Sequence, residues 1–146
     1  MPHSYAQNNL HIIFSTKDRR ASISREMQPK LWAYVASIGR NHDIFVRIAG
    51  GTEDHAHVLI KLPTDLALAK AVRILKSNSS RWMNTQRQFA WQEGYAAFSV
   101  STSNFDSVTH YIQNQEIHHR KFTFEQEFLS LLKKHRIAFD PKFVFG

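Results

Sequence analysis

The chain contains 146 residues, of which 42% are hydrophobic and 21% are charged. This length is typical of one domain with its own hydrophobic core, and we expect residues 1–146 to form a single domain. The sequence has no cysteine, which excludes disulfide scaffolds, cysteine-ligated zinc sites and thiol nucleophiles. A formal net charge of +7 favours a polyanionic partner such as nucleic acid, although a solvated basic surface has the same composition.

The N-terminal segment and the apolar stretches indicate where the protein acts. Residues 1–7 are polar and do not resemble a secretion signal. No apolar stretch approaches the roughly 20 residues that a membrane crossing requires. We therefore expect a cytoplasmic protein that does not interact with a membrane.

The first part of the chain predicts a strand, a helix and a hairpin. Apolar and β-branched residues over 9–15 predict the first strand. A helix with apolar residues at helical spacing follows, and Gly39 stands where a left-handed residue would end it. Residues 44–49 and 55–62 predict two strands, and the glycines at 50–51 predict the turn that joins them into an antiparallel hairpin.

A long helix follows the hairpin. We expect Asp65 to cap this helix and an apolar stripe from Leu68 to Trp82 to face the core. A second stripe is polar and basic and lies opposite the apolar one. Its members are Arg73, Lys76, Ser80 and Arg81. These side chains are candidate contacts for nucleic-acid phosphates, but the same pattern is typical of a solvated helix face.

The remaining segments predict one more strand and two helices. Residues 96–101 predict the fourth strand. Ser103 followed by Asp106 indicates a capping box for one helix, and Thr123 followed by Gln126 indicates a capping box for the last helix.

The element order βαββαβ plus two helices predicts the α+β class. It fits a ferredoxin-like arrangement, in which a four-stranded antiparallel sheet carries two helices on one face. We expect the other face of this sheet to be open and available for a ligand.

The third predicted strand alternates between apolar and histidine-bearing positions. Ala56, Val58 and Ile60 fall on one face, and His55 and His57 fall on the other. Because side chains repeat every two residues in a strand, the two imidazoles should project together and lie close enough to hold one metal ion. The same spacing also fits two exposed histidines without a function.

A second polar cluster lies on the helix after the fourth strand, which we expect to reach about His118. Tyr111 and Gln115 are four residues apart, so a phenol and an amide should share one helical face. A tyrosine at the edge of an apolar stripe is often a packing residue. The pair alone therefore does not establish a reactive site.

Five segments spread over nearly the whole chain carry recognisable motifs. They are HIIFSTK (11–17), GGTEDHAHVLIKL (50–62), LKSNSSRWMN (75–84), FAWQEGYAAFSVS (89–101) and VTHYIQNQEIHHRKFTFEQEF (108–128). In this order and spacing they resemble the single-tyrosine HUH transposases of the IS-two-hundred/six-hundred-and-five insertion-sequence family. The middle residue of that family's histidine triplet is usually larger than Ala56, which is small but apolar.

The resemblance implies a set of residue roles and a reaction. By it, His55, His57 and Gln115 are the ligands of a divalent metal, Mg²⁺ or Mn²⁺, and Tyr111, on the C-terminal helices, is the catalytic nucleophile. The implied activity is cleavage and transfer of single-stranded DNA at hairpin-marked element ends, through a 5′-phosphotyrosine. The resemblance also implies a homodimer that acts at the nucleoid of a bacterial or archaeal cell.

Two other functions fit the same sequence. One is a binding module without catalysis, which holds nucleic acid on an open ferredoxin-like sheet. The other is a host-adapted relative that cleaves dispersed palindromes instead of moving its own element. Dependence on a metal separates the first alternative from a transposase, and the genomic copy number and flanking hairpins separate the second.

Overall fold

The computed structural model describes residues 5–145, which divide after Gln115 into two compact units. The strands are β1 (Asn9–Ser15), β2 (Phe45–Gly51), β3 (His55–Lys61) and β4 (Ala96–Val100). The helices are α1 (Met27–Asn41), α2 (Leu68–Asn84), α3 (Phe105–Gln113), α4 (Gln115–His118) and α5 (Phe124–Lys134), and short 3-10 turns cover Lys17–Arg19 and Thr102–Asn104. Within residues 5–145, no helix is both long enough and apolar enough to cross a membrane.

The four strands form one antiparallel sheet in the order β2-β3-β1-β4. This order confirms the ferredoxin-like α+β fold, and β2 and β3 form the predicted hairpin. In the register of the two central strands, Ile13 of β1 lies opposite His57, and His11 lies opposite Leu59. Residues opposite each other point to the same face, so His11 and His57 are diagonal neighbours on one face of the sheet.

The first face of the sheet forms the main hydrophobic core with α1 and α2. Ile12, Val58 and Ile60 of the central strands pack in one cluster with Leu31 of α1 and Leu75 of α2, and all five are fully buried. This is the face that the apolar positions of β3 predict.

The second face is covered by α3, so the prediction of an open face is wrong. Leu59 of β3, Val100 of β4 and Ile112 of α3 form a buried cluster there, and Phe105 and Val108 pack against it. With both faces of the sheet covered, every residue of β3 except Lys61 is buried. The sequence pattern of β3 cannot reveal this cover, because α3 is about 50 residues away along the chain.

Two glycine assignments are also wrong. Gly39 lies inside α1, not at its end, and a Cβ there would come within 2.6 Å of both Ile44 O and Val46 Cγ2. Glycine is needed at this position because the chain leading into β2 passes close to the helix. Gly50 belongs to β2 instead of a turn, and its Cβ would lie 2.8 Å from Ile112 O.

Helix starts differ from two of the predicted caps. The residue before α2 is Ala67 in place of Asp65, and its side chain makes no capping hydrogen bond. Ser103 lies within the 3-10 turn before α3, and Asn104 occupies the N-cap position. Both predicted caps precede the true N-cap residue by one or two residues, since a turn is inserted that the sequence pattern does not show.

The second unit begins at Glu116 and contains α5. The predicted capping box is confirmed: the Gln126 backbone N–H donates to Thr123 Oγ1 at 3.1 Å, and the Thr123 backbone N–H donates to Gln126 Oε1 at 2.9 Å. The Glu127 carboxylate accepts from two imidazoles, His119 Nε2 at 3.2 Å and His118 Nε2 at 3.3 Å.

Candidate metal and nucleophile site

Strand β3 holds His55 and His57 on the face that α3 covers. The two rings project in the same direction, with centroids 5.0 Å apart. Their exposed fractions are 1% and 0%, so these are enclosed side chains, in contrast to the expectation of an open face. A buried imidazole requires hydrogen-bond partners, and each histidine has them at Nδ1.

Asp54 and Thr52 orient His55. His55 Nδ1 lies 2.8 Å from Asp54 Oδ1 and 3.0 Å from Thr52 Oγ1. Burial raises the pKa of Asp54, but the hydrogen bonds and charge of His55, with smaller effects of Thr52 and Arg19, outweigh it and hold this pKa below its ordinary value. The ionised carboxylate only accepts, so His55 carries a hydrogen on Nδ1, and its other ring nitrogen, Nε2, points away from Asp54.

Gln115 lies beside Nε2 of His55. Gln115 Oε1 lies 3.2 Å from His55 Nε2, and the Gln115 side chain is 1% exposed. Imidazole nitrogens and an amide oxygen are both ligands of divalent metals, so the donor set of two imidazoles and one amide oxygen fits such an ion.

Gln115 does not lie on one continuous helix with Tyr111. Helix α3 ends at Gln113, and Asn114 closes its last turn by donating from its backbone N–H to His110 O at 3.1 Å. Helix α4 then begins at Gln115. The expected helix to about His118 is therefore interrupted, and the break at Asn114 sets where Gln115 stands.

Tyr111 stands beside the histidines on α3. Its ring centroid is 5.9 Å from that of His57 and 6.1 Å from that of His11, in edge-on geometry. The ring also packs against the apolar cluster around Ile112. The structure thus gathers the four residues of the predicted site, His55, His57, Tyr111 and Gln115, at one place on the second face.

His11 is a member of this group that the sequence analysis does not assign. It is 4% exposed, and its Nε2 lies 2.7 Å from His57 Nδ1. In the sequence, the only indication of this role is that a histidine stands among the apolar residues of β1. Its partner lies 46 residues away, so the pairing becomes visible only with the register of β1 and β3.

The basic stripe of α2 lies away from the histidines. Helix α2 packs on the first face of the sheet, and α3 covers the second. Arg73, Lys76 and Ser80 line an open groove of about 660 Å³ between α2 and residues 90–95. Arg81 is exposed and donates to Asn78 Oδ1 at 3.4 Å.

Lys76 is engaged by the protein itself. Its Nζ donates to Gln92 O at 2.7 Å and to Gly94 O at 2.9 Å, at the wall of the groove. Burial lowers the pKa of Lys76, and the charge of Glu93 partly opposes this change. Lys76 therefore holds the 90–95 segment against α2, in contrast to the neighbouring Arg73, which is exposed.

Two solved structures share this fold. A candidate transposase from Deinococcus radiodurans R1 superposes with a TM-score of 0.64 at 20% identity, over 79% of this chain and 95% of that chain. A REP-associated tyrosine transposase, solved bound to a REP hairpin, superposes with a TM-score of 0.62 at 14% identity, over 96% of this chain and 91% of that chain. The chain therefore shares its fold with these two structures.

The sequence identifies the family more closely. Residues 4–115 match the family described as "Transposase IS200 like", which is most of the chain. The chain belongs to this family of IS200-like transposases. The match ends at Gln115, where the first compact unit also ends. No curated protein matches the sequence.

Proposed function

We propose that this transposase cleaves and rejoins single-stranded DNA at hairpin-marked ends of an insertion sequence, with Tyr111 as the nucleophile and a divalent metal as cofactor. The observation that carries the proposal is the grouping of the His55 and His57 rings with Gln115 Oε1, which lies 3.2 Å from His55 Nε2, beside the Tyr111 ring of α3. Membership of the transposase family supports it.

The cation would be held by His55, His57 and Gln115. When bound, Mg²⁺ or Mn²⁺ supplies Lewis acidity that polarises the scissile phosphate and stabilises the leaving oxygen. The protein residues hold three neutral ligands in place, so the phosphate oxygens of the DNA and water can complete the coordination. The packing of Tyr111 and its neighbour Ile112 in the apolar cluster of α3 and the sheet supports this arrangement.

Tyr111 would perform the covalent step. Its phenol oxygen loses its proton and forms a bond to phosphorus, while the bond from phosphorus to the 3′ oxygen breaks. The products are a 5′-phosphotyrosine and a free 3′-hydroxyl. Because one phosphate ester replaces another of similar energy, a 3′-hydroxyl from a second strand can reverse the attack and complete strand transfer without ATP.

DNA binding and assembly belong to the same proposal. The structure of a relative bound to a REP hairpin supports hairpin DNA as the partner. The exposed Arg73 and Arg81, with Ser80, are proposed contacts to DNA phosphates. Lys76 contributes to DNA binding by holding residues 90–95, which form one wall of the groove. We propose that residues 1–146 act as one transposase domain, as a homodimer, in the cytoplasm at the nucleoid.

The test is cleavage of labelled single-stranded hairpin DNA taken from the ends that flank the gene. Wild type should give a shortened strand and a covalent protein–DNA adduct on a denaturing gel with Mn²⁺, and neither product with a chelator. Tyr111→Phe should bind the hairpin and form no adduct. Tyr5→Phe, at a 93% exposed tyrosine, is the matched control and should behave as wild type.

Other outcomes identify the alternatives. An adduct with Tyr111→Phe, or cleavage that persists in chelator, would contradict the proposal. Tight hairpin binding without cleavage by wild type would indicate a binding module. Cleavage of dispersed palindromes in preference to the flanking hairpins would indicate the host-adapted relative.

A further inference from the structure

The proposed reaction does not use the buried contact between His11 and His57. His11 Nε2 lies 2.7 Å from His57 Nδ1, and the two rings are stacked with centroids 5.0 Å apart. Phe98 and Tyr111 contact the His11 ring edge-on, each with its centroid 6.1 Å away. The ring is therefore held by a specific polar partner inside an otherwise aromatic enclosure.

The backbone accounts for this contact. His11 lies opposite Leu59 in the antiparallel pair of β1 and β3, so His57 is its diagonal neighbour on the same face. Diagonal positions lie within reach of long and aromatic side chains. Both strands are central in the sheet, which fixes the two rings relative to each other.

The hydrogen bond has consequences for which nitrogen of His57 is available. Between two neutral imidazoles, one of the two facing nitrogens carries the hydrogen and the other accepts. If His57 Nδ1 donates, His57 Nε2 is unprotonated and can bind a metal. If His11 Nε2 donates, the hydrogen of His57 lies on Nε2 and blocks that nitrogen.

His55 shows the same design with a different partner. Its Nδ1 faces Asp54 Oδ1 at 2.8 Å, which fixes the Nδ1–H form. Each histidine of the pair thus has a buried partner at Nδ1. Metal-binding histidines are generally oriented in this way, by an acceptor on the nitrogen that does not bind.

We propose that His11 is a positioning residue, which accepts a hydrogen bond from His57 Nδ1–H and so keeps His57 Nε2 unprotonated and directed at the metal. Its own Nε2 is occupied by His57, so His11 is not assigned as a ligand. The proposal rests on the proposed metal site, but its central claim concerns the form of His57 in the metal-free protein.

The first test therefore uses the metal-free protein at pH 8. A ¹H–¹⁵N multiple-bond NMR correlation distinguishes the two neutral forms of histidine, and His57→Ala assigns the signals. His57 of wild type should be in the Nδ1–H form. His11→Phe keeps an aromatic ring but removes the acceptor, and it should shift His57 towards the Nε2–H form.

His11→Gln is the conservative variant, because its side-chain oxygen can take the place of the accepting nitrogen. It should retain the Nδ1–H form of His57. His110→Gln makes the same change at an exposed histidine of α3 and should leave the His57 signals unchanged. Rescue by glutamine, and not by phenylalanine, separates a positioning role from simple filling of space.

The second test is Mn²⁺ binding without DNA, measured by electron paramagnetic resonance of the free ion. His11→Phe should weaken binding about 10- to 100-fold, the usual effect of losing such a partner. His11→Gln should remain close to wild type. An Nε2–H form of His57 in wild type overturns the proposal even if no variant folds, and so does an Nδ1–H form that persists in His11→Phe.

The NMR result is independent of DNA cleavage. An Nδ1–H form that depends on His11 supports the proposal even in a protein that does not cut DNA, in which case the proposed function fails alone.

Discussion

Gly50→Ala tests how closely α3 must approach the sheet for Tyr111 to reach its position. Gly50 lies in β2 directly below Ile112, the residue after Tyr111. A Cβ at Gly50 would lie 2.8 Å from Ile112 O and 2.9 Å from Ile112 Cγ2. The obstacle includes backbone, so a side-chain rotation cannot remove it.

The size of the effect follows from these distances. Ordinary contact begins at 3.4 Å, so α3 or β2 must yield by the difference from 2.8 Å, about 0.6 Å. Overpacking of this kind costs about 1–3 kcal/mol of unfolding free energy. A misplacement of about 1 Å can cost a hundredfold in rate, so we expect adduct formation to fall by roughly tenfold.

The assay is urea denaturation together with the rate of adduct formation. Arg47→Ala places the same residue at an exposed position of β2 and should change the unfolding free energy by less than about 0.5 kcal/mol. Adding Ile112→Leu to Gly50→Ala removes the contact with Cγ2 but leaves the carbonyl, so it should restore stability only in part. An unfolding free energy equal to wild type in Gly50→Ala would refute the close approach of α3.

Three further predictions concern the metal site, a buried lysine and the second unit. Mn²⁺ at 100 times its dissociation constant should raise the unfolding free energy by about 2.7 kcal/mol in wild type, and His55→Ala should lose this increase in a thermal melt. Because burial lowers the pKa of Lys76, the folded chain releases this proton at a lower pH than the unfolded chain does. Between that lowered pKa and the ordinary value of 10.5, the unfolding free energy of wild type should therefore rise with pH relative to that of Lys76→Met. A flat difference in denaturation curves across that window would contradict the burial of this charge. Thr123→Ala removes the capping hydrogen bond to Gln126 and should cost α5 about 1 kcal/mol, measured by circular dichroism during unfolding.

Local sequence patterns predict the strands and the class of fold well. Strand β1 has the predicted bounds, and β3 ends one residue earlier than predicted. Period-two alternation and helical spacing depend on near neighbours, so a sequence shows them directly. The predictions for Gly39 and Gly50 were wrong because each glycine allows another segment to pass close to its backbone. That segment lies in the next element for Gly39 and far along the chain for Gly50, so no local sequence pattern indicates it.

The candidate site was predicted in part for the same reason. Alternation in β3 indicates that His55 and His57 point together, and the structure adds that Gln115 meets His55. The burial of the site and the role of His11 depend on how β1, β3 and α3 come together, which sequence spacing does not specify. The roles of Tyr111 and the α2 stripe stay predictions.

The most direct test of the central claim is peptide mapping of the protein–DNA adduct. Wild type is incubated with the flanking hairpin DNA and Mn²⁺, digested with protease and nuclease, and analysed by tandem mass spectrometry. We predict a nucleotide joined through its 5′ phosphate to Tyr111. A nucleotide on any other residue, or cleaved DNA without any covalent adduct, would contradict the assignment of Tyr111 as the nucleophile.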